Sequence, residues 1–389
     1  MTSQFKNKKI ITFFTSSRAD YDLIKNLINF FLIDKKFRVH LIITGTHFSK
    51  KYGKSYDQIY KKNLKIIPIK LNIKISTPKN IVELSSIYLN KFQNYFNNYK
   101  PEATVVLGDR YEAFLLSYCS FINLTKVIHL HGGELSLGAY DDSLRHSISK
   151  FSHLHFVSHE QYKKRLIQIG ENKSNIFKVG AFAVDNIYKF IDLPDFELSK
   201  IVKFDVKKNK FLLVTFHPET LIGSQTIKNF KILLNSLEYF KNLKIVINVP
   251  NADTYSEDFI KLIKYYVKKN NNFIYIKNLG SNIFFSIMKK SLIYIGNSSS
   301  GIIESPYLKT YFLLIGDRQE GRVLSKNILK IKPFKNEIIN AIRSIIKKRP
   351  IPKIIYTFGK NYVANRTYKN IVNNLNKIKF IKKFGDINF

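Results

Sequence analysis

The sequence predicts an α/β protein of two parallel-sheet domains facing a cleft, and three observations predict it. Short β-rich apolar runs alternate with helix-length amphipathic stretches along the chain. The 389 residues, 45% of them hydrophobic, suffice for two full cores. Polar and glycine-containing clusters fall directly after several apolar runs, at the carboxyl ends of strands, where open α/β sheets bind ligands.

In order, a first strand is expected over 10–15, followed by Thr15-Ser-Ser-Arg18-Ala-Asp20. Small residues there let a turn expose backbone N–H groups at a helix start, and Arg18 suits bidentate contact with phosphate; the alternative is a capped helix with a surface arginine. The strand expected over 38–44 leads to Thr44-Gly-Thr-His47, in which His47 reads as a satisfied loop histidine. After a strand over 64–71 and a helix over 81–98, the run Ala-Thr-Val-Val-Leu107 ends in Gly108-Asp109-Arg110. Asp109 should project from the strand end, either capping the helix over 111–122 in a salt bridge or acting as an acid/base group.

The strand over 126–130 opens into His129-Leu-His-Gly-Gly-Glu134, followed by Asp141-Asp142-Ser-Leu-Arg145-His146, with a helix starting near Asp142. Asp109, Glu134, Asp141 and Asp142 then form a carboxylate cluster. Several carboxylates in one cleft split their pKa values, which suits proton transfer in both directions. A metal is not expected: His129, His131, Glu134, His146, His153 and His155 lack the H-E-x-x-H or Cys/His spacing of zinc sites. His153 and His155, at the strand over 154–158, read as packing or surface residues; a helix over 161–169 follows.

The mixed segment 185–208, with Pro194 and a lysine cluster, reads as the interdomain connection. It divides the chain into residues 1–185, carrying the carboxylates, and 186–389, with the extreme C-terminal helix a candidate to pack back on the first domain. The second half repeats the alternation, with strands over 210–216, 243–249, 272–276, 292–296 and 310–315 and helices over 226–240, 258–269 and 336–347. His217, held before Pro218 at a strand mouth, reads as functional. In Ile295-Gly-Asn-Ser298-Ser299-Ser300-Gly301-Ile-Ile-Glu304, a strand enters a Ser/Gly-rich turn that opens a helix. Such a turn offers N–H and hydroxyl donors to a phosphate, with Glu304 placed to accept from ribose hydroxyls. No lysine follows the glycines, so it is not a Walker loop. Two Rossmann-like domains arranged this way hold nucleotides or sugars between them.

Composition excludes other classes. The net charge of +36 invites nucleic acid, but the lysines are spread through the chain among Ile and Asn, and no DNA- or RNA-binding consensus accompanies them. They read as a solvated surface whose field steers an anionic small substrate inward. Neither a signal peptide nor an unbroken apolar run of membrane length is recognised, and Cys119 alone cannot form a disulfide framework. A cytoplasmic protein with no membrane or nucleic-acid partner is expected.

Arg18-Ala-Asp-Tyr, Leu107-Gly-Asp109-Arg-Tyr-Glu-Ala, His131-Gly-Gly-Glu134, Asp141-Asp-Ser-Leu-Arg145-His146, Val179-Gly-Ala, Thr215-Phe-His217, the Asn297-to-Pro306 turn and Gly316-Asp-Arg318-Gln-Glu-Gly-Arg322 together resemble the UDP-N-acetylglucosamine 2-epimerase family. The match runs in order over roughly residues 10–330. The His-Gly-Gly-Glu form resembles the hydrolysing branch, which releases a free 2-epimerised N-acetyl sugar for sialic acid and related nonulosonic acid synthesis. The resemblance implies a GT-B-like pair of domains, a UDP-sugar substrate, no cofactor and a homo-oligomer, dimeric or tetrameric. It implies Ser298 and Ser299, with Ser300 and Gly301, at the phosphates, Glu304 at the ribose, Phe284 beside the uracil and Arg18 at the phosphate. Asp109 and Glu134 match catalytic carboxylates, a third acid is Asp141 or Asp142, and His217 matches a histidine near the phosphates. Arg145, His146, Arg318 and Arg322 are candidate substrate contacts. Phe358-Gly-Lys-Asn departs from the family's Gly/Asp-rich turn. A GT-B glycosyltransferase and a non-catalytic nucleotide-sugar binding protein are the competing readings. The sugar, plain or 2,4-diacetamido, and its carrier, UDP or GDP, stay open.

Overall fold

A computed structural model of the chain describes residues 8–49, 54–59, 62–71, 77–248, 255–277, 279–347 and 356–386. Seven parallel strands form the first sheet: β1 (Lys9–Thr15), β2 (Phe37–Ile43), β3 (Leu64–Pro68), β4 (Ala103–Leu107), β5 (Lys126–Leu130), β6 (Leu154–Val157) and β7 (Ile176–Lys178), in the order β3-β2-β1-β4-β5-β6-β7. Six parallel strands form the second: β8 (Phe211–Thr215), β9 (Lys244–Asn248), β10 (Phe273–Ile276), β11 (Ile293–Gly296), β12 (Phe312–Ile315) and β13 (Ile328–Ile331), in the order β10-β9-β8-β11-β12-β13. Both are doubly wound sheets whose strand order reverses at one point, between β1 and β4 in the first and between β8 and β11 in the second. The inner strands, β4, β6, β8, β11 and β12 among them, are buried apolar runs because helices cover both faces.

The expected strands and helices lie within a few residues of the observed ones, with β3 ending at Pro68 rather than Leu71. Residue 249, at the end of one expected strand, lies outside the described residues. Sequence reading missed β7 and β13, edge strands too short and too exposed to show a period. The connecting stretch is largely helical, taking in the end of α6 (Phe182–Tyr188) and α7 (Asp195–Val202).

The chain then returns to the first sheet. α13 (Val363–Asn374) packs against α1 (Arg18–Ile33) and α6. The Asp185 carboxylate accepts the Val363 and Ala364 amides, each at 2.8 Å, at the start of α13. Phe358, in the atypical tail turn, is buried and accepts the Ala181 amide at 2.9 Å. Beyond α13, Lys382 reaches Glu171 at 2.8 Å, a buried carboxylate that also meets His155 at 3.0 Å.

Candidate active site

Both strand-order reversals open toward one cavity of about 420 Å³, lined from both halves of the chain. After β1, Ser17 accepts the Asp20 amide and starts α1 with Arg18 at its first position. Arg18 lines the cavity and its guanidinium lies over Gly280, where a Cβ would sit 2.7 Å from Nη2. After β4, Gly108 turns at φ +72, a backbone conformation suited to glycine, and delivers Asp109 to the cavity. Asp109 does not cap the next helix, α3 (Tyr111–Ile122), whose N-cap is Arg110. Its carboxylate pairs instead with Arg145, and Arg110 pairs with Glu112 at 3.3 Å.

After β5, Glu134 is 2% exposed. His131 Nε2 accepts the Phe182 amide at 3.2 Å, which leaves Nδ1–H to donate to Glu134 Oε1 at 2.9 Å; the Ser158 hydroxyl donates to the same oxygen at 2.9 Å. Arg322, from the loop after β12, meets Oε2 at 2.8 Å. Burial pushes the Glu134 carboxyl up, but Arg322, His131 and Ser158 outweigh it and hold it at about 2. Glu134 is therefore an anion at neutral pH.

α4 (Asp141–Phe151) separates the two adjacent acids that sequence left equivalent. Asp141 lines the cavity, whereas Asp142 accepts the Ser136 amide at 2.6 Å and faces His146 at 3.6 Å. Neither Asp142 nor His146 is part of the cavity wall. Arg145 is 2% exposed and donates to Asp109, the Glu134 carbonyl and the Ser136 hydroxyl, so it ties the two carboxylate loops together. Behind them His129, which burial pulls down to about 3, bonds the Gly108 carbonyl at 2.7 Å and Ser149 at 3.0 Å. His153 and His155 are buried, bonded to backbone and to Glu171 respectively.

Opposite, His217 follows β8 with its backbone held by both ends of the Asn297 amide, at 2.7 and 2.8 Å. Burial and then Arg318 lower its pKa, which favours the neutral imidazole at pH 7. The turn after β11 presents Ser298, Ser299 and Ser300 to the cavity at the start of α11 (Ser299–Ile303), with Ser298 Oγ 2.9 Å from Ser300 Oγ. Gly301 serves packing, since a Cβ there would collide with the Phe312 ring. Glu304 closes this wall, pushed up to about 8 by burial and by Asp22. Phe284, set edge-on to Tyr294, and Arg318 line it too. Sequence reading missed Asp22, Ser281 and the role of Gln319, all in the lining. Asp22 was accessible to it, lying four residues beyond Arg18 on the same face of α1. Ser281 donates to Asp22 at 2.8 Å, and Gln319 donates to the Asn297 carbonyl at 3.0 Å. Among the described residues no cluster of three or more metal-ligating side chains is present, and no helix is long and apolar enough to cross a membrane.

The fold agrees with what the chain is similar to. It is 40% identical over 328 residues, 83% of this chain and 84% of the other, to the GDP/UDP-N,N'-diacetylbacillosamine 2-epimerase (hydrolyzing) of Campylobacter jejuni. It is 33% identical to the polysialic acid biosynthesis protein P7 of Escherichia coli, covering 97% and 94% of the two chains. The fold matches the UDP co-structure of S. aureus MnaA with a TM-score of 0.78 at 18% identity, over 97% of this chain and all of that one. It also matches Neisseria meningitidis UDP-GlcNAc 2-epimerase bound to UDP-GlcNAc, with a TM-score of 0.75 at 18% identity over 94% and 100%. Residues 32–376 match the sequence pattern of one family, and the chain belongs to it: the UDP-N-acetylglucosamine 2-epimerases.

Proposed function

We propose that the chain is a hydrolysing nucleotide-sugar 2-epimerase of nonulosonic acid synthesis. The observation that carries this reading is the shared cavity, with three carboxylates, Asp109, Glu134 and Asp141, on one side and a serine turn with Glu304 on the other. The diphosphate meets Arg18, His217 and the turn of Ser298 and Ser299, the ribose meets Glu304, and the base lies by Phe284. One carboxylate takes the C2 proton and the C1–O bond to UDP breaks, leaving a glycal; water then adds hydroxyl at C1 and a proton returns to C2 on the opposite face. Glu134, held as an anion, is one of the carboxylates able to accept that proton. The product is free N-acetylmannosamine or its 2,4-diacetamido analogue, and the 40% relative favours testing the diacetamido sugar and GDP beside UDP.

The proposal assigns the acids to a domain of residues 1–185 and the nucleotide to one of residues 186–389, working as a cytoplasmic homo-oligomer, which light scattering checks. Each candidate nucleotide sugar is incubated with the protein in D2O and in heavy-oxygen water. Product with one deuterium at C2 and the oxygen label at C1, beside unlabelled UDP, is expected. Retained C2 hydrogen or label in the diphosphate overturns the glycal route, and turnover only with an acceptor points to a glycosyltransferase.

A further inference from the structure

Arg322 belongs to the second sheet's side of the molecule, in the loop after β12, yet its donors reach the first. Nη1 lies 2.8 Å from Glu134 Oε2, Nε donates to the Leu135 carbonyl at 3.1 Å, and Nη2 lies 3.4 Å from the Ser136 hydroxyl. The next residue continues the contact, the Val323 amide donating to the Tyr162 hydroxyl at 3.2 Å. Gly321, just before Arg322, is needed: it sits at φ +81, and a Cβ there would collide with the Leu135 side chain. This is a built junction, in which the guanidinium spends its planar fork on one carboxylate loop rather than on open space.

We propose that Arg322 is a positioning residue through which the nucleotide half of the molecule completes the carboxylate half, fixing the Glu134 side chain in place. The proposal rests on the reading of Glu134 as a catalytic carboxylate. The charged and titratable groups that face Glu134 are His131 on its own loop, Arg145 on α4, Tyr162 and Arg165 on α5 (Glu160–Gln168), and Arg322. Arg145 and Arg165 direct bonds to backbone carbonyls at Glu134 and Gly133, so Arg322 is the arginine on the carboxylate itself. Without the Arg322 guanidinium the carboxylate, still buried, loses that partner, burial dominates, and the proton affinity of Glu134 rises.

Arg322→Met and Arg322→Lys test this. With wild-type protein, Glu134 contributes no acid limb to turnover above pH 5. Arg322→Met is expected to lower kcat at least 100-fold at pH 6 while UDP affinity by calorimetry stays within threefold. Its kcat profile gains an acid limb between pH 5 and 8, because the base is lost as pH falls through its raised pKa. Arg322→Lys restores part of kcat and moves the limb back down. A raised KM with unchanged kcat would mean a substrate contact, and lowered kcat with no new limb a merely structural role; either overturns the proposal. Amide exchange at residues 134–136 with UDP bound gives a readout without turnover. Exchange at least tenfold faster in Arg322→Met supports the positioning role, and equal exchange overturns it. A wild-type protein that converts no nucleotide sugar overturns the proposed function instead, with the exchange result still deciding the contact.

Discussion

At the scale of single residues, environment separates groups that sequence treats alike. Glu134, in the loop after β5, and Glu304, at the C-terminal end of α11, both line the cavity, yet one is held at about 2 by Arg322 and its neighbours and the other pushed up to about 8. Replacing Glu134 with Gln or Asp109 with Asn is expected to retain the fold and UDP binding while lowering turnover at least ~100-fold, as for a positioned acid or base; near-normal rates in both variants refute the carboxylate assignment. Burial and Asp22 favour the protonated form of Glu304, and in the proposed reading ribose hydroxyls donating to it favour the carboxylate. UDP affinity should therefore rise as pH climbs through 8, with proton release on binding seen by calorimetry in buffers of different ionisation enthalpy. Glu304→Gln should abolish that slope.

At the scale of elements, the site is a set of loops following parallel strands, each positioned by a few backbone constraints. Gly296 ends β11 at φ +144, where a Cβ would collide with the Thr215 carbonyl, so the serine turn can follow β11 closely alongside β8. Ser298, Ser299 and Ser300 line the cavity at a helix start. Ser298→Ala combined with Ser299→Ala should weaken UDP binding by about 1 kcal/mol or more per lost bond to a charged phosphate, read by calorimetry. Unchanged affinity refutes the phosphate role. These elements were legible because turn chemistry is local: Gly108-Asp109, His131-Gly-Gly-Glu134 and the serine run announce strand ends by composition. The short edge strands β7 and β13 were not, because three or four residues carry no period.

At the scale of the whole molecule, the chain's last segment braces the first sheet. Lys382 reaches Glu171 and donates to the Lys150 carbonyl at 2.7 Å near the end of α4, the helix that carries Asp141 and Arg145. Burial pushes the Glu171 carboxyl up, while His155 and Lys382 hold it at about 2. Its folded pKa lies below the ordinary glutamate value of about 4.5, so its stabilisation is present above about pH 4.5 and is lost as pH falls toward 2. Lys382→Met should destabilise the protein by about 2 kcal/mol, less than loss of a lone buried partner because Lys150 and His155 remain. Thermal unfolding at pH 7 checks this, and an unchanged midpoint refutes the brace.

The sequence by itself determined the α/β class, the strand and helix succession and the candidate cluster, because apolar periodicity and glycine-bearing turns are properties of neighbouring residues. Only the tertiary structure decided that Asp141 rather than Asp142 faces the cavity, that Arg145, a candidate substrate contact, pairs with Asp109, and that Arg322 crosses to Glu134. Those facts depend on which strand ends the sheet order makes adjacent and on how the two sheets face each other, and packing over long sequence separations, not local pattern, sets both.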